Sequence, residues 1–270
     1  MREILLLDDH APSCVCFARL ADSVAAFLPW AHVRHAGAFP DSCLEHLPPD
    51  SRAAALDAAA AALAKARVRS PERLLPAADP LPVEIGAERR RLTAHGPQTG
   101  VPADGFKVQI AYRRLLSPRS NQIAVVITGR LLLTYDHDDL RYHARSVIPG
   151  TPALISVPGL VEGPARPREY YIALRSLGPA GASDELTRSL LVEQFRGRCL
   201  LYDDPRTTDV LVGYVLQAVA HEVTGEPFCQ DPDCRLFNAH FQEEMLRAQI
   251  ASGRLCQRHH DILTRGPAGT

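Results

Sequence analysis

Three cysteines and a histidine near the end of the chain carry the clearest chemical signal. "CQDPDC" sets Cys229 and Cys234 in a C-x4-C turn around a proline, and "CQRH" sets Cys256 and His259 in a C-x2-H pair after 21 intervening residues. Zinc takes four thiolate or imidazole ligands at tetrahedral angles, and two short-range pairs joined by a helix supply them. The ion itself ionises the thiols it binds. With all four positions filled by protein, no place is left for substrate water, so the expected site is structural. His260 adjoins His259 and is an alternative fourth ligand. The competing view is three unrelated thiols and a surface histidine.

A second signal precedes the first. "VAHEVTGEPFC", residues 219–229, holds His221 and Glu222 as the start of the zinc-protease pattern H-E-x-x-H, but Gly225 stands where the second histidine belongs. That pattern spaces its histidines by four so that both share one helix face, with the glutamate as general base. Without a partner at 225, His221 reads as a polar residue of the last helical turn, facing the negative helix end. "HFQEE" resembles the inverted motif H-x-x-E-H with Glu244 in place of its second histidine. His240 and Glu244 share a face, which suits a metal with one further ligand or an ordinary surface pair. "DHDDLRYH" gathers Asp136, His137, Asp138, Asp139 and His143, either a divalent-ion site or a polar turn. "EGPARPRE" offers Glu162, Arg166 and Arg168, which suit an anion or a salt-bridged loop. Glycine-rich phosphate loops are absent, so nucleotide binding has no support.

The elements that must carry these groups read as α/β. "EILLLDD" is a short apolar run ending in two acids, the pattern of a buried parallel strand. A helix is expected over "FARLADSVAAFLPW", a strand over "HVRHAGAF", and a strong helix over "DSRAAALDAAAAALAKARV", capped by Asp50 or Ser51. Pro and Gly punctuate residues 70–105, with one short helix around "EIGAERRRLTA". "QIAVVIT", "RLLLTYD", "TPALISVPGLV" and "YYIALRSL" read as strands, the third with a Pro-Gly turn inside it. "DELTRSLLVEQFRG" reads as a helix, and so does "TTDVLVGYVLQAVAHEVTG", with Thr208 as N-cap and Gly225 as its stop. "NAHFQEEMLRAQIASG" is a last long helix. The order implies a mixed sheet with flanking helices.

At the cysteine turn the chain resembles the archaemetzincins, zinc peptidases of the metzincin class. Their pattern is H-E-x-x-H-x-x-G-x-x-H-C-x4-C-x-M, followed by a closing C-x-x-C. Cys229 and Cys234 match the C-x4-C, His259 stands in the last cysteine position, and Leu236 replaces the methionine. The gap to the closing pair is two residues longer. The resemblance implies a catalytic zinc on three histidines, a glutamate base and a second zinc on the four cysteine positions. Counted back from Cys229 without gaps, the family glycine falls on Gly225, but the three histidines fall on Ala218, Glu222 and Phe228 and the base on Val219. The visible His-Glu pair is therefore out of register by three residues. "VVITGRLLLTYDHDDLRYHARS", "ALISVPGLVEGPARPREYY" and "GEPFCQDPDCRLFNAHFQEEMLRAQ" also resemble uncharacterised prokaryotic proteins described as metallopeptidases, over residues 105–263.

Four segments are expected: an N-terminal α/β part over 1–70, a joining region over 71–104, an archaemetzincin-like zinc-binding domain with a metzincin-like fold over 105–263, and a disordered tail over 264–270. Hydrophobic residues make up 46% and charged residues 23%, with a net charge of −1 and Lys65 and Lys107 as the only lysines. Nothing in that balance favours a nucleic-acid surface. No apolar run is long enough for a membrane span, and the charged N-terminus is no signal peptide. Seven cysteines, an odd number, disfavour a disulfide framework and suit a cytoplasmic protein. The expected function is a zinc-stabilised relative of the metallopeptidases, non-catalytic, binding a peptide or protein partner. The alternative is an active zinc metallopeptidase or hydrolase rebuilt from His221, Glu222, His240 or Glu244.

Overall fold

The computed structural model describes residues 2–76, 78–98, 102–116, 120–177 and 185–267. In chain order it begins with strand β1 (Arg2–Asp9), helix α1 (Phe17–Ala25), strand β2 (Ala31–Ala38) and helices α2 (Asp41–Leu44), α3 (Pro49–Ala66) and α4 (Pro82–Thr93). There follow β3 (Ala103–Asp104), α5 (Gly105–Arg113), β4 (Gln122–Thr128), β5 (Leu132–Asp136), β6 (Arg141–Ala144), β7 (Val147–Ile148) and β8 (Ala153–Ser156). The last part is helical: α6 (Val157–Glu162), α7 (Arg168–Ser176), α8 (Glu185–Gln194), α9 (Thr207–Thr224), α10 (Gln242–Leu246) with a π-helical continuation over Arg247–Ser252, and α11 (Gln257–Arg265).

Five strands form one sheet in the order β2-β1-β4-β8-β7. Its first four strands are parallel, and β7 runs antiparallel to β8 at the edge. A smaller sheet has the order β3-β5-β6. The large sheet is buried on both faces, which explains its continuous apolar runs. Alternate side chains go to opposite faces. Ile4, Leu6, Ile123, Val125, Ile127, Ala153 and Ile155 enter one core with α1 and α9. Leu7, Ala124, Val126 and Leu154 enter the other with α3 and α5. The result is a three-layer α/β fold, a mixed sheet between helices, with the Cys/His segment running along α9, where Arg235 reaches Asp209 O and Gln217 reaches Phe237 O.

Several local expectations are corrected. Residues 157–161 and 170–176, expected as strand, lie in helices α6 and α7. Ser156 caps α6 through its hydroxyl, which accepts from Gly159 N, and Pro158 sits in the first turn, so "SVPG" is a helix start. In α7, Tyr170 is buried and Ala173 and Leu174 pack beside it, a helical spacing that "YYIALRSL" hides among aromatic and β-branched residues. Helix α3 starts at Pro49, whose fixed φ suits a first position, and uses neither Asp50 nor Ser51 as a side-chain cap. Thr208 does not cap α9; its hydroxyl donates to Cys14 O and accepts from Cys16 N, both at 3.0 Å, tying α9 to the start of α1. The long helix expected from 238 begins only at Gln242 and widens into the π segment. Thr264 and Arg265, expected in a disordered tail, close α11, where the Trp30 indole donates to Leu263 O at 2.6 Å. Asp184, the start of an expected helix, and residues 268–270 lie outside the described residues.

Candidate metal centre and the adjoining cleft

Helix α9 is buried along nearly its whole length and ends where Gly225 turns left-handed, φ +79°, with its N–H returned to His221 O at 2.8 Å. Glycine reaches that conformation without a Cβ penalty, so the helix stops there. Four residues on, the C-x4-C segment folds on itself. Cys234 N donates to Asp231 O at 3.0 Å, Cys229 N to Leu236 O at 2.8 Å and Asp231 N to the Cys229 sulfur at 3.3 Å. Arg235 holds this turn in place, donating to Gly253 O at 2.7 Å and to Asp209 O at 3.0 Å. The chain then returns so that Cys256 caps α11 and His259 lies one turn into it.

These pieces bring four donor atoms together. The Cys229, Cys234 and Cys256 sulfurs and the His259 ring nitrogen all lie within 4.8 Å of one another. Cys229 Sγ is 3.8 Å from Cys256 Sγ, Cys234 Sγ is 3.8 Å from His259 Nδ1, and Cys256 Sγ is 3.1 Å from the same Nδ1. A zinc ion with Zn–S of about 2.3 Å and Zn–N of about 2.0 Å sets tetrahedral ligands about 3.5–3.8 Å apart. A disulfide would need about 2.05 Å, and all seven cysteines are free. The cluster fits zinc. His259 is 5% exposed, whereas His260 is exposed beside Asp261, so the donor that reaches the sulfurs is His259. Burial pushes the Cys229 thiol up and the Cys234 thiol up to about 12; burial, with Arg258 nearby, holds His259 below its usual value. Zinc binds cysteine as thiolate, so uptake of the ion must expel thiol protons.

Other candidates are not brought together. Among the described residues, no second group of three His, Cys, Asp or Glu converges within metal-binding reach. Glu222 accepts the Thr151 hydroxyl at 3.0 Å, and His221 Nδ1 is buried without a hydrogen-bond partner. Glu244 turns back on its own helix, accepting the backbone N–H of His240 at 3.0 Å and of Phe241 at 3.1 Å. In "DHDDLRYH", Asp136 accepts from Asp138 N and Asp139 N, while His143 and Arg141 pair with Asp139. It is a polar turn. Arg166 stands 3.8 Å from Glu162 and stacks on Tyr170, so "EGPARPRE" is a salt-bridged loop.

A cleft of about 530 Å³ lies beside the metal centre, between α9, the segment after Phe228 and the strand segment 141–147. Tyr214 and Gln217 of α9, Phe228, His143, Glu162 and His240 line it. Ala218 and Val219, next on the helix, are fully buried in the core. No helix among the described residues is long and apolar enough to cross a membrane.

Residues 45–265 match the profile of a family described as "Probable metallopeptidase family (DUF6775)". No curated protein matches the chain. Among solved structures, a zinc-dependent peptidase from Methanocorpusculum labreanum (strain Z) aligns over 97% of this chain and 100% of its own, at 14% identity and a TM-score of 0.46.

Proposed function

The chain belongs to the probable metallopeptidase family, and on that premise we propose that it is a non-catalytic, archaemetzincin-like member. It keeps a structural zinc on Cys229, Cys234, Cys256 and His259, and its cleft holds a peptide or protein segment. The observation that carries this is the convergence of those four donors, with no donor left over for a substrate. Counted back from Cys229, the positions that would hold a catalytic metal are Ala218 and Phe228, which have no donor atoms, and Glu222, which is engaged by Thr151. The base position is Val219.

When bound, the zinc supplies ionised thiolates and a four-way crosslink, a contribution of about 10 kcal/mol or more in small zinc modules. The chain's own residues give that crosslink its purpose. It joins the turn after α9 to α11, and α11 in turn buries Leu263 against Trp30. Seven free thiols suit a reducing cytoplasm. The cleft mixes aromatic walls, Tyr214 and Phe228, with the polar groups of Gln217 and His240, a combination that suits a peptide. A second reading, a metalloenzyme rebuilt around His221 and Glu222, has one observation on its side: the buried and unpartnered Nδ1 of His221.

Metal analysis separates the two. One zinc per chain, lost on Cys229→Ser, with no peptidase activity, is the expected result. Two metals, one removed by mild chelation together with peptidase activity, would favour the rebuilt site. A protein purified without any zinc would remove the structural site as well.

A further inference from the structure

Beyond the carboxyl ends of β1 and β4 lies a set of buried polar side chains that neither the metal centre nor the cleft uses. β1 pairs with β2 on one side and β4 on the other, so the chain leaves β1 in one direction and comes back on its opposite flank. In open parallel sheets such a reversal opens a crevice at the strand ends, where ligands bind. Asp9 Oδ2 accepts the hydroxyls of Tyr112 and Thr128, both at 2.5 Å. Arg130 Nε donates to the Tyr112 oxygen at 2.9 Å and stands 3.7 Å from the same carboxylate. Its Nη1 pairs with Glu88 at 2.8 Å, and Glu88 accepts Arg67 at 2.9 Å.

Three atoms around this carboxylate have no hydrogen-bond partner: Asp9 Oδ1, His10 Nε2 and Arg130 Nη2. Their side chains are 0%, 5% and 2% exposed, so bulk water does not serve them. His10 Nδ1 lies 2.9 Å from Gly96 O, which can only accept, so Nδ1 carries a ring proton. Its Nε2 faces Asp9 Oδ1 at 3.8 Å. A buried carboxylate oxygen and a buried guanidinium N–H without partners are costly until something satisfies them. His10 also holds φ +60°, a left-handed backbone uncommon outside glycine and of the kind retained at ligand sites. The segment carrying Gly96 and Gln98 covers the strand ends closely: a Cβ on Gly129 would come within 2.3 Å of His10 O and 2.7 Å of Gln98 O.

We propose that the buried polar cluster at these strand ends is a second ligand site, for a small molecule carrying an amino or amide N–H donor next to an oxygen acceptor. In the occupied site the His10 ring is neutral, the nitrogen bridges Asp9 Oδ1 and His10 Nε2, and the oxygen accepts from Arg130 Nη2. A primary amide and a zwitterionic amino acid both meet that description. Entry requires the Gly96 segment to lift, and occupancy holds it down.

Calorimetric titration of the full-length, zinc-loaded protein tests this, with glycine and acetamide as probes and acetate and methylammonium as half-probes. At least one full probe binds at millimolar concentration, and each half-probe binds about tenfold more weakly or worse. A preference for glycine over acetamide assigns the amino-acid source, and the reverse assigns the amide. His10→Asn tolerates the left-handed backbone but lacks Nε2, and it weakens binding about tenfold; Arg130→Lys, which lacks Nη2, does the same. If Arg130→Lys does not fold, His10→Asn decides alone. Failure of both probes to bind, binding unchanged in His10→Asn, or a crystal grown with the probes that shows only water on the three atoms overturns the proposal.

Discussion

Cys234 and His259 are 25 residues apart in sequence, yet the sulfur of one faces Nδ1 of the other at 3.8 Å, the spacing of two ligands on one zinc ion. His260, the next residue, is exposed beside Asp261. His259→Ala should therefore abolish zinc retention and cost about 3 kcal/mol or more of stability, while His260→Ala leaves both within about 0.5 kcal/mol. Metal analysis and thermal melting of the two variants side by side check this; equal effects would contradict the assignment of the donor.

Zinc affinity should climb with pH. Burial raises the Cys229 and Cys234 thiols, the latter to about 12, so each thiolate formed on metal uptake releases a proton. Titration of zinc into metal-free protein in buffers of different ionisation enthalpy should show net proton release. An affinity that stays flat or falls from pH 6 to pH 8 would speak against thiolate ligation.

Asp204 should make stability sensitive to acid. Burial opposes its charge, but Arg206, bonded at 2.9 Å and 2.7 Å, outweighs burial and holds the carboxyl below its usual value. A depressed carboxylate contributes stability that is complete above the unfolded value of about 3.9 and is lost as pH falls through the lower folded value. Asp204→Asn should cost about 1–2 kcal/mol near neutrality, in part because Arg206 is left half-satisfied. The difference from wild type in urea midpoints should shrink as pH drops below about 4. A difference independent of pH would point to packing instead.

Two glycines should respond very differently to alanine. At Gly225 a Cβ meets nothing within 4 Å, so only the left-handed φ of +79° is penalised, about 1 kcal/mol. At Gly159 a Cβ would lie 2.1 Å from Arg145 O, a backbone atom that cannot swing away. Denaturant titration should show Gly159→Ala several-fold more destabilising than Gly225→Ala, and the reverse order would mean that the α6 turn gives way easily.

What the sequence discloses follows from where each signal resides. Cys229, Cys234, Cys256 and His259 are legible because short spacings fix their local geometry, and the intervening segment need only return. β1, β4 and α9 are legible because burial on both sides leaves long apolar runs. α6 and α7 are hidden because Ser156 and Pro167 announce them with single residues, while "LISVPGLV" and "YYIAL" carry strand-like composition. The polar cluster at Asp9 and Arg130 shows in the sequence only as two acids after an apolar run and a Thr-Gly-Arg after another; their meeting depends on strand order, which no local pattern encodes.

The family profile begins at residue 45, yet β1, at Arg2–Asp9, is hydrogen-bonded on both flanks and lies next to the last strand of its row. A fragment cut to residues 45–265 would leave β4 with a raw edge of unpaired backbone and would uncover the surfaces against which Ile4 and Leu6, both 0% exposed, now close. Such a fragment should be recovered as aggregates, and a peptide spanning residues 1–44 added during refolding should rescue it, as read by light scattering. The segment that the family profile leaves out is thus the keystone of the sheet, and shortening the chain to its recognisable part would open that sheet along β4.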